Sequence, residues 1–322
     1  LPNCQPETRF TLKADFMSSG HWQNTGFTKW VNDNLYNYKM NDEKSMNPKK
    51  WFDINNGGNL NDTRECIYGF PCRLILVNDG SSPLNEGQNE PTPGNTKDMG
   101  IFNFNHDKDC AASIGLDQDN FPNCARCEIA ANSDTSAGAF MSYDKVKPDG
   151  KTELEYLKDS FELRFPDSDD VSEEWGFFGT GEEGTGIKAL IDWVDKCTDE
   201  EFVRDFEQHF NKQYTLRYFL MVMVCGMVDN LGKNLMLDTW DNKVFMPRFY
   251  DCDTICSYDN SGDIKFDVDI EMEQGYWNTS SSRLWTRVRD LMYDDLVAIY
   301  NNMRQNGLSY ESLMIYFYDE QI

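Results

Sequence analysis

Five polar residues late in the chain have side chains that could carry metal or phosphate chemistry. They stand in two short segments, "GMVDNLGKNLML" and "FMPRFYDCDT", and are Asp229, Lys233, Asn234, Asp251 and Asp253. Carboxylate and amide oxygens are the ligands that Mg²⁺ or Mn²⁺ takes, with phosphates completing the shell. An aspartate that does not bind the metal can accept the proton of a hydroxyl nucleophile. These residue types therefore indicate phosphoryl transfer or cation binding.

The segments around these residues predict a hairpin. An apolar run at 214–227 is hydrophobic nearly all round, which is typical of a helix at the centre of a domain. Short strands are predicted at 234–239 and 244–250, joined by the turn "WDNK". Because a hairpin brings its two ends together, Asn234 and Asp251 should be neighbours.

The order of these residues is that of a phosphoryl-transfer site. An aspartate, four residues, an asparagine, a hairpin and a further aspartate match a catalytic loop followed by a metal-binding aspartate. The alternative is that Asp229 caps a turn, that Asn234 satisfies backbone groups, and that Asp251 and Asp253 are ordinary loop acids. The hairpin spacing and the buried helix before it favour the kinase-like geometry.

The rest of the chain divides into a β-rich half and a helical half. Strands are predicted at 9–17, 67–79, 99–109, 127–133 and 160–166, with an amphipathic helix at 27–38. Later helices are predicted at 200–210, after a Thr198–Glu201 capping box, then from Ser282 to Gly307 and from Ser309 to Asp319. This order favours an α+β, two-lobed arrangement, with a β-rich region at 1–195 and a helical lobe carrying the acidic site at 196–322.

Composition excludes several classes of protein. The chain has 55 acidic and 30 basic residues and a net charge of −25, so nucleic acid is not expected as a partner. The longest apolar run has 11 residues, whereas a bilayer span needs about 20. The chain shows no signal peptide and no initiator Met, and we expect it to be a piece of a longer or processed polypeptide.

The ten cysteines do not define a metal site. Cys124 and Cys127 form a CxxC pair, but there is no second pair and His106 is the one nearby histidine, so a structural zinc is not favoured. The sequence does not decide whether two of the five cysteines from Cys66 to Cys127 form a disulfide. Cys225 lies in the apolar run and is expected to be a buried free thiol.

A glycine-rich segment in the predicted β-rich region resembles a phosphate-binding loop. "GTGEEGTG", at 179–186, matches G-x-G-x-x-G. Glu182 and Glu183, however, stand where a phosphate would approach. We therefore expect a connector there.

"GMVDNLGKNLML" followed by "FYDCDT" resembles the CotH (spore-coat protein H) kinase-like family. More specifically, the chain is similar to the version of that domain found in phage virion proteins. The segments that carry this likeness follow one another in the same order and are "TLKADFMSSGHWQNTG", "GIFNFNHDKD", "FELRFPD", "ALIDWV", "YDCDT" and "SSSRLWTRVRD". They extend from about Phe10 to Tyr310, which is nearly the whole chain.

The resemblance implies a two-lobed atypical protein-kinase-like fold and a role for each polar residue. Asp229 would be the catalytic-loop aspartate and Asn234 a metal-side amide, while Lys233 would meet a phosphate. Asp251 would hold the metal of a bound nucleotide, and Asp253 is the second candidate for this role. Mg²⁺ (or Mn²⁺ or Ca²⁺) and ATP are the implied cofactors.

Two lysines in the first half are further candidates for pairing a phosphate of that nucleotide. They are Lys13 in "TLKADF" and Lys108 in "NFNHDKD", and the alternative for both is an exposed strand lysine. Two departures from the family pattern speak against live catalysis. The strands upstream of "LKAD" are missing, and Asn230 and Leu231 stand where active members carry a basic residue.

Three functions follow from these observations. The resemblance favours a domain of a phage virion protein, of the tail, that serves structure or host attachment and whose nucleotide site is vestigial or cryptic. Its partners would be neighbouring virion proteins or a host surface, and its location the virion, or otherwise the extracellular space or a cell surface. The alternatives are an active Mg-ATP-dependent kinase acting on Ser or Thr of a protein substrate, and a calcium-stabilised adhesion module.

Overall fold

The described part of the protein is a mixed α+β structure with two small antiparallel sheets and several helices. The computed structural model describes residues 8–14, 23–37, 66, 69–77, 96–110, 114–119, 121–129, 153–167, 177–178, 184–227, 230–232, 234–257, 263 and 282–319. The strands lie mostly in the first half, as predicted. The two-lobed kinase-like arrangement stays a prediction.

All the predicted strands are present with shifted ends. They are β1 (Phe10–Lys13), β2 (Gly69–Val77), β3 (Thr96–His106), β4 (Ala125–Ile129), β5 (Phe161–Phe165), β6 (Leu235–Thr239) and β7 (Phe245–Phe249).

The helices concentrate in the second half. They are α1 (Gln23–Asn37), α2 (Glu153–Ser160), α3 (Gly186–Lys196), α4 (Asp199–Asp205), α5 (Lys212–Val224), α6 (Arg283–Leu291), α7 (Tyr293–Gln305) and α8 (Tyr310–Asp319). Among the residues described, no helix is both long enough and apolar enough to cross a bilayer, in agreement with the prediction from the sequence.

The first sheet has the order β1-β3-β2, and all its pairs are antiparallel. The register places Phe10 opposite His106 and Lys13 opposite Asn103. Strand β1 is short and only partly covered, with exposed and half-buried residues in alternation. Lys13 is its last residue, and its position at the strand end leaves it free to reach beyond the sheet.

The second sheet has the order β5-β4-β6-β7 and combines strands from both halves of the sequence. Strand β4 pairs with β5 on one side and with β6 on the other, and β6 pairs with β7. This sheet therefore contains strands from both sides of the boundary predicted after residue 195. The division into two lobes at that residue stays a prediction.

A buried ionic cluster fixes the middle of the second sheet. Asp238 on β6 is fully buried and accepts hydrogen bonds from Arg126 on β4, at 2.7 and 3.1 Å, and from Arg248 on β7, at 3.0 Å. Arg248 also donates to the hydroxyl of Tyr214 on α5. Removing one partner from such a cluster leaves an uncompensated buried charge, which costs about 3–5 kcal/mol. The cluster therefore specifies which strands lie next to one another.

Helix α5 is buried along most of its length, as its apolar sequence predicted. Asn211 caps its start by accepting a hydrogen bond from the backbone N–H of Tyr214. The ring of the fully buried Tyr218 stacks on the ring of Phe249 of β7, with 4.4 Å between the ring centroids. Its centroid lies 6.0 Å from that of Trp285 of α6. The helix thus packs directly against the hairpin strand that leads to Asp251.

Two capped helix starts were predicted correctly. The capping box of Thr198 and Glu201 is present, with both reciprocal hydrogen bonds, and Ser282 caps α6. The single helix predicted from Ser282 to Gly307 is instead broken at Met292, whose backbone (φ −115°, ψ 25°) ends α6 and begins α7. The apolar spacing continues through the break because Met292 is itself buried.

Helices α2 and α3 were not predicted. Helix α3 begins at Gly186, the last residue of the glycine-rich segment, and buries Ile187, Leu190, Ile191 and Val194. Residues 179–183 of that segment lie outside the described residues.

Candidate functional site

The hairpin predicted around the acidic residues is present. Strands β6 and β7 pair in antiparallel register from Leu235 opposite Phe249 to Thr239 opposite Phe245. Asn234 precedes the first strand and Tyr250 follows the second, so both stand at the open end of the hairpin. The chain segments that carry Asn234 and Asp251 are therefore brought together, as the sequence predicted.

A buried asparagine ties the two ends of the hairpin. The amide of Asn230 donates to the carbonyl of Asn234 at 3.1 Å and to the carbonyl of Tyr250 at 3.0 Å. The backbone carbonyl of Asn230 in turn accepts from the hydroxyl of Tyr218 at 2.5 Å. Asn230 is completely buried, and its role was missed in the sequence, where it counted only as a departure from the family pattern. A polar residue next to a predicted hairpin end was the available signal.

Asn234 and Asp251 have a second reason for their residue types. Their backbones adopt positive φ, 52° at Asn234 and 51° at Asp251. Asparagine and aspartate tolerate this left-handed conformation better than other non-glycine residues. Their backbone conformation therefore gives these two residue types a reason that does not depend on a ligand.

Lys13 and Asp251 form an ion pair that joins the two sheets. The Nζ of Lys13 lies 2.5 Å from Oδ1 of Asp251, and the two side chains are 26% and 25% exposed. Lys13 ends β1 of the first sheet, whereas Asp251 follows β7 of the second. The Lys13 ammonium also lies over the ring of Tyr250, at 4.7 Å from its centroid, a geometry that attracts a cation.

The environment keeps Lys13 positively charged. Burial alone would lower the pKa of Lys13, but attraction to Asp251, Tyr250 and Asp253, together with the hydrogen bond to Asp251, raises it above the usual value. Lys13, the predicted phosphate-pairing lysine, therefore lies next to Asp251, the predicted metal-binding aspartate. The negative charge of Asp251 stabilises the positive charge of Lys13.

The side chain of Lys108 pairs with a different carboxylate, that of Glu128. Its Nζ donates to Glu128 on β4 at 2.7 Å, and Glu128 also pairs with Arg164 at 2.6 Å. The Nζ of Lys108 lies 5.9 Å from the centroid of the Tyr250 ring, so it borders the site. Of the two lysine candidates, Lys13 is the one placed at Asp251.

The remaining predicted residues fall at or beyond the edge of the described structure. Asp253 lies in the 3₁₀ segment Cys252–Ser257, which Asn24 of α1 ties down by accepting the backbone N–H of Cys252 at 3.1 Å. Asp229 and Lys233 lie outside the described residues. Their predicted catalytic roles stay predictions.

The described residues alone do not complete the predicted Mg-ATP site, because Asp229 and Lys233 lie outside them. Among them, no group of three or more histidines, cysteines, aspartates and glutamates is placed to share a metal ion. The cavity beside Lys13 and Asp251 has a volume of about 10 Å³, which suits a single water molecule. The charge of Asp251 is already balanced by Lys13. We therefore derive no phosphoryl-transfer step from this arrangement.

A scan of the chain against protein-family models gives no match, and a search among curated proteins gives no significant match. The resemblance to CotH-type domains consequently stays a prediction from the sequence.

Replacing Asn230 with alanine removes both hydrogen bonds across the open end of the hairpin. We expect Asn230→Ala to lower the free energy of unfolding by about 2–3 kcal/mol, because two buried carbonyls lose their donor. Urea unfolding followed by circular dichroism measures this loss. Asn301→Ala, at an exposed position of α7, is the matched control and should change stability by less than about 0.5 kcal/mol. Equal effects of the two substitutions would contradict the role of Asn230.

Proposed function

We propose that this chain is a CotH-like, kinase-like domain of a phage tail protein, which serves structure or host attachment and whose nucleotide site is vestigial. The observation that carries the proposal is the direct ion pair between Lys13 and Asp251. These are the residues to which the resemblance assigns the nucleotide phosphate and its metal.

In a working phosphoryl-transfer site, the nucleotide and its metal stand between the lysine and the aspartate. Here Lys13 and Asp251 neutralise each other, and the cavity beside them has a volume of only about 10 Å³. A nucleotide would first have to separate the two charges and open a space for its phosphates. This free-energy cost favours a site that retains the residues of the family but no longer binds a nucleotide.

The aromatic surface of the last helices supports a role in an assembly. Large side chains on α7 and α8 are exposed, among them Tyr293 (64%), Tyr310 (71%), Ile315 (60%) and Tyr318 (64%). Tyrosine is enriched in protein–protein interfaces, where its ring packs and its hydroxyl stays hydrated. Neighbouring virion proteins or a host surface are the partners that the proposal assigns to this region.

The second candidate is an active Mg-ATP-dependent kinase acting on Ser or Thr hydroxyls, which would require the ion pair between Lys13 and Asp251 to open. A lysine that stays charged beside an aspartate is what phosphate and metal would need if the ion pair opened. A calcium-stabilised adhesion module is the remaining alternative, and the same measurements separate all three.

Ligand-dependent melting tests the vestigial site. We expect the melting temperature to stay within about 1 °C on addition of millimolar ATP with Mg²⁺, since only a ligand that binds the native state stabilises it. We also expect no transfer of radiolabelled phosphate from ATP. A rise of several degrees, with label transfer that Asp229→Ala abolishes, would instead establish the kinase. A rise with Ca²⁺ alone would favour the adhesion module.

Particle composition tests the proposed location. An antibody against this chain should detect it in phage particles purified through a density gradient, and mass spectrometry of those particles should recover its peptides. Recovery of the chain only from the cell lysate, with purified particles free of it, would remove the virion proposal. This outcome is independent of the nucleotide measurement.

A further inference from the structure

The end of helix α5 and the turn after β7 bring two cysteines to one apolar groove. Cys225 is the residue at which α5 ends, and Cys256 lies in the segment Cys252–Ser257. The backbone N–H of Cys256 donates to the carbonyl of Cys225 at 2.8 Å. Both residues line a groove of about 350 Å³, whose other walls include Trp30 and Leu313. Both cysteines are free thiols in this structure.

This backbone contact limits how far apart the two Cα atoms are. With ordinary bond lengths, an N···O distance of 2.8 Å keeps the Cα atoms of Cys225 and Cys256 within about 6.7 Å of each other. Disulfides in proteins join Cα atoms that are about 4.4–6.8 Å apart. The Cα separation of the two residues therefore falls within the limit for a disulfide.

The two thiols are also close enough to influence each other. Burial raises the pKa of the Cys225 thiol, and the neighbouring Cys256 thiol raises it further. Cys256 is exposed and Cys225 half-buried, whereas Cys252, four residues before Cys256, is fully buried. A small thiol oxidant would consequently meet Cys256 first.

Cys256 occupies a backbone position that does not favour cysteine. Its φ of 65° and ψ of 30° lie in the left-handed region, which glycine adopts without steric cost and asparagine tolerates. The turn has a thiol where a glycine would be the less strained residue. Backbone geometry therefore does not explain the choice of cysteine at this position.

We propose that Cys225 and Cys256 are a disulfide-forming site, oxidised by a disulfide of the glutathione class. The Cys256 thiolate attacks one sulfur of oxidised glutathione, and the released glutathione thiolate takes up a proton. Cys225, after losing its proton, attacks the Cys256 sulfur and displaces the second glutathione. Two electrons and two protons pass from the protein to glutathione, and one sulfur–sulfur bond joins the two cysteines.

The bond would enclose the hairpin that carries part of the candidate site. The chain between Cys225 and Cys256 holds Asn230, Asn234 and Asp251, so the disulfide would close this whole segment into a covalent loop. A closed loop has fewer unfolded conformations, which stabilises the native state. This inference rests on the geometry of the two cysteines alone and does not depend on the proposed function.

Thiol counting after oxidation tests the proposal. The native chain is incubated with oxidised glutathione, quenched by alkylation, digested without reduction and analysed by mass spectrometry. We expect a peptide pair that joins Cys225 to Cys256, the loss of two free thiols, and reversal by dithiothreitol. The melting temperature of the oxidised form should exceed that of the reduced form by about 5 °C.

Three variants make this result specific. Cys225→Ser and Cys256→Gly should each abolish the linked peptide, and the glycine keeps the left-handed backbone at that position. Cys72→Ser, on β2 of the first sheet, should leave the linked peptide unchanged. An unchanged thiol count in the wild-type chain would overturn the proposal. So would a glutathione adduct that stays on Cys256 without a link to Cys225.

Discussion

The ion pair between Lys13 and Asp251 is the interaction through which the two sheets meet at the candidate site. Lys13 is the last residue of a strand in the first sheet, and Asp251 follows the last strand of the second. Neither charge is fully exposed, and the Lys13 ammonium lies over the ring of Tyr250. The pair stabilises this junction only if the hairpin that ends at Asp251 is itself held in one register. The rest of the second sheet provides that register.

Three layers of buried polar contacts hold the hairpin in place. Asp238 joins the strands on either side of it through Arg126 and Arg248, which excludes other strand pairings because a shifted register would bury unpaired charges. Asn230 then closes the open end of the hairpin by donating to the carbonyl just before β6 and to the carbonyl just after β7. Tyr218 anchors Asn230 to helix α5. Each layer satisfies polar groups that would otherwise be costly to bury.

Local patterns predicted much of this arrangement. The hairpin, the buried helix before it and the capping box at Thr198 depend on residues close in sequence, and all three are present. The break at Met292 was missed because the apolar spacing runs through it unchanged. Helix α3 was missed because its apolar residues follow a glycine-rich segment that was interpreted as a connector.

Contacts between distant segments could not be predicted in the same way. Lys13 and Lys108 were equivalent candidates in the sequence, and only the packing of the two sheets separates them, since Lys108 pairs with Glu128 and Lys13 with Asp251. The position of Asn230 next to the predicted hairpin was a signal, but its two acceptors are backbone carbonyls, which the sequence does not identify. The residue types at the site were therefore predictable, and their partners were not.

A double-mutant cycle on Lys13→Met and Asp251→Asn tests the central claim most directly. Asparagine retains tolerance of the positive φ at residue 251, so the cycle isolates the charge interaction. Urea unfolding of the four proteins should give a coupling energy of about 1 kcal/mol, the upper range for a partly exposed pair. A coupling energy indistinguishable from zero would mean that the two charges do not stabilise each other and that the junction between the sheets has another cause.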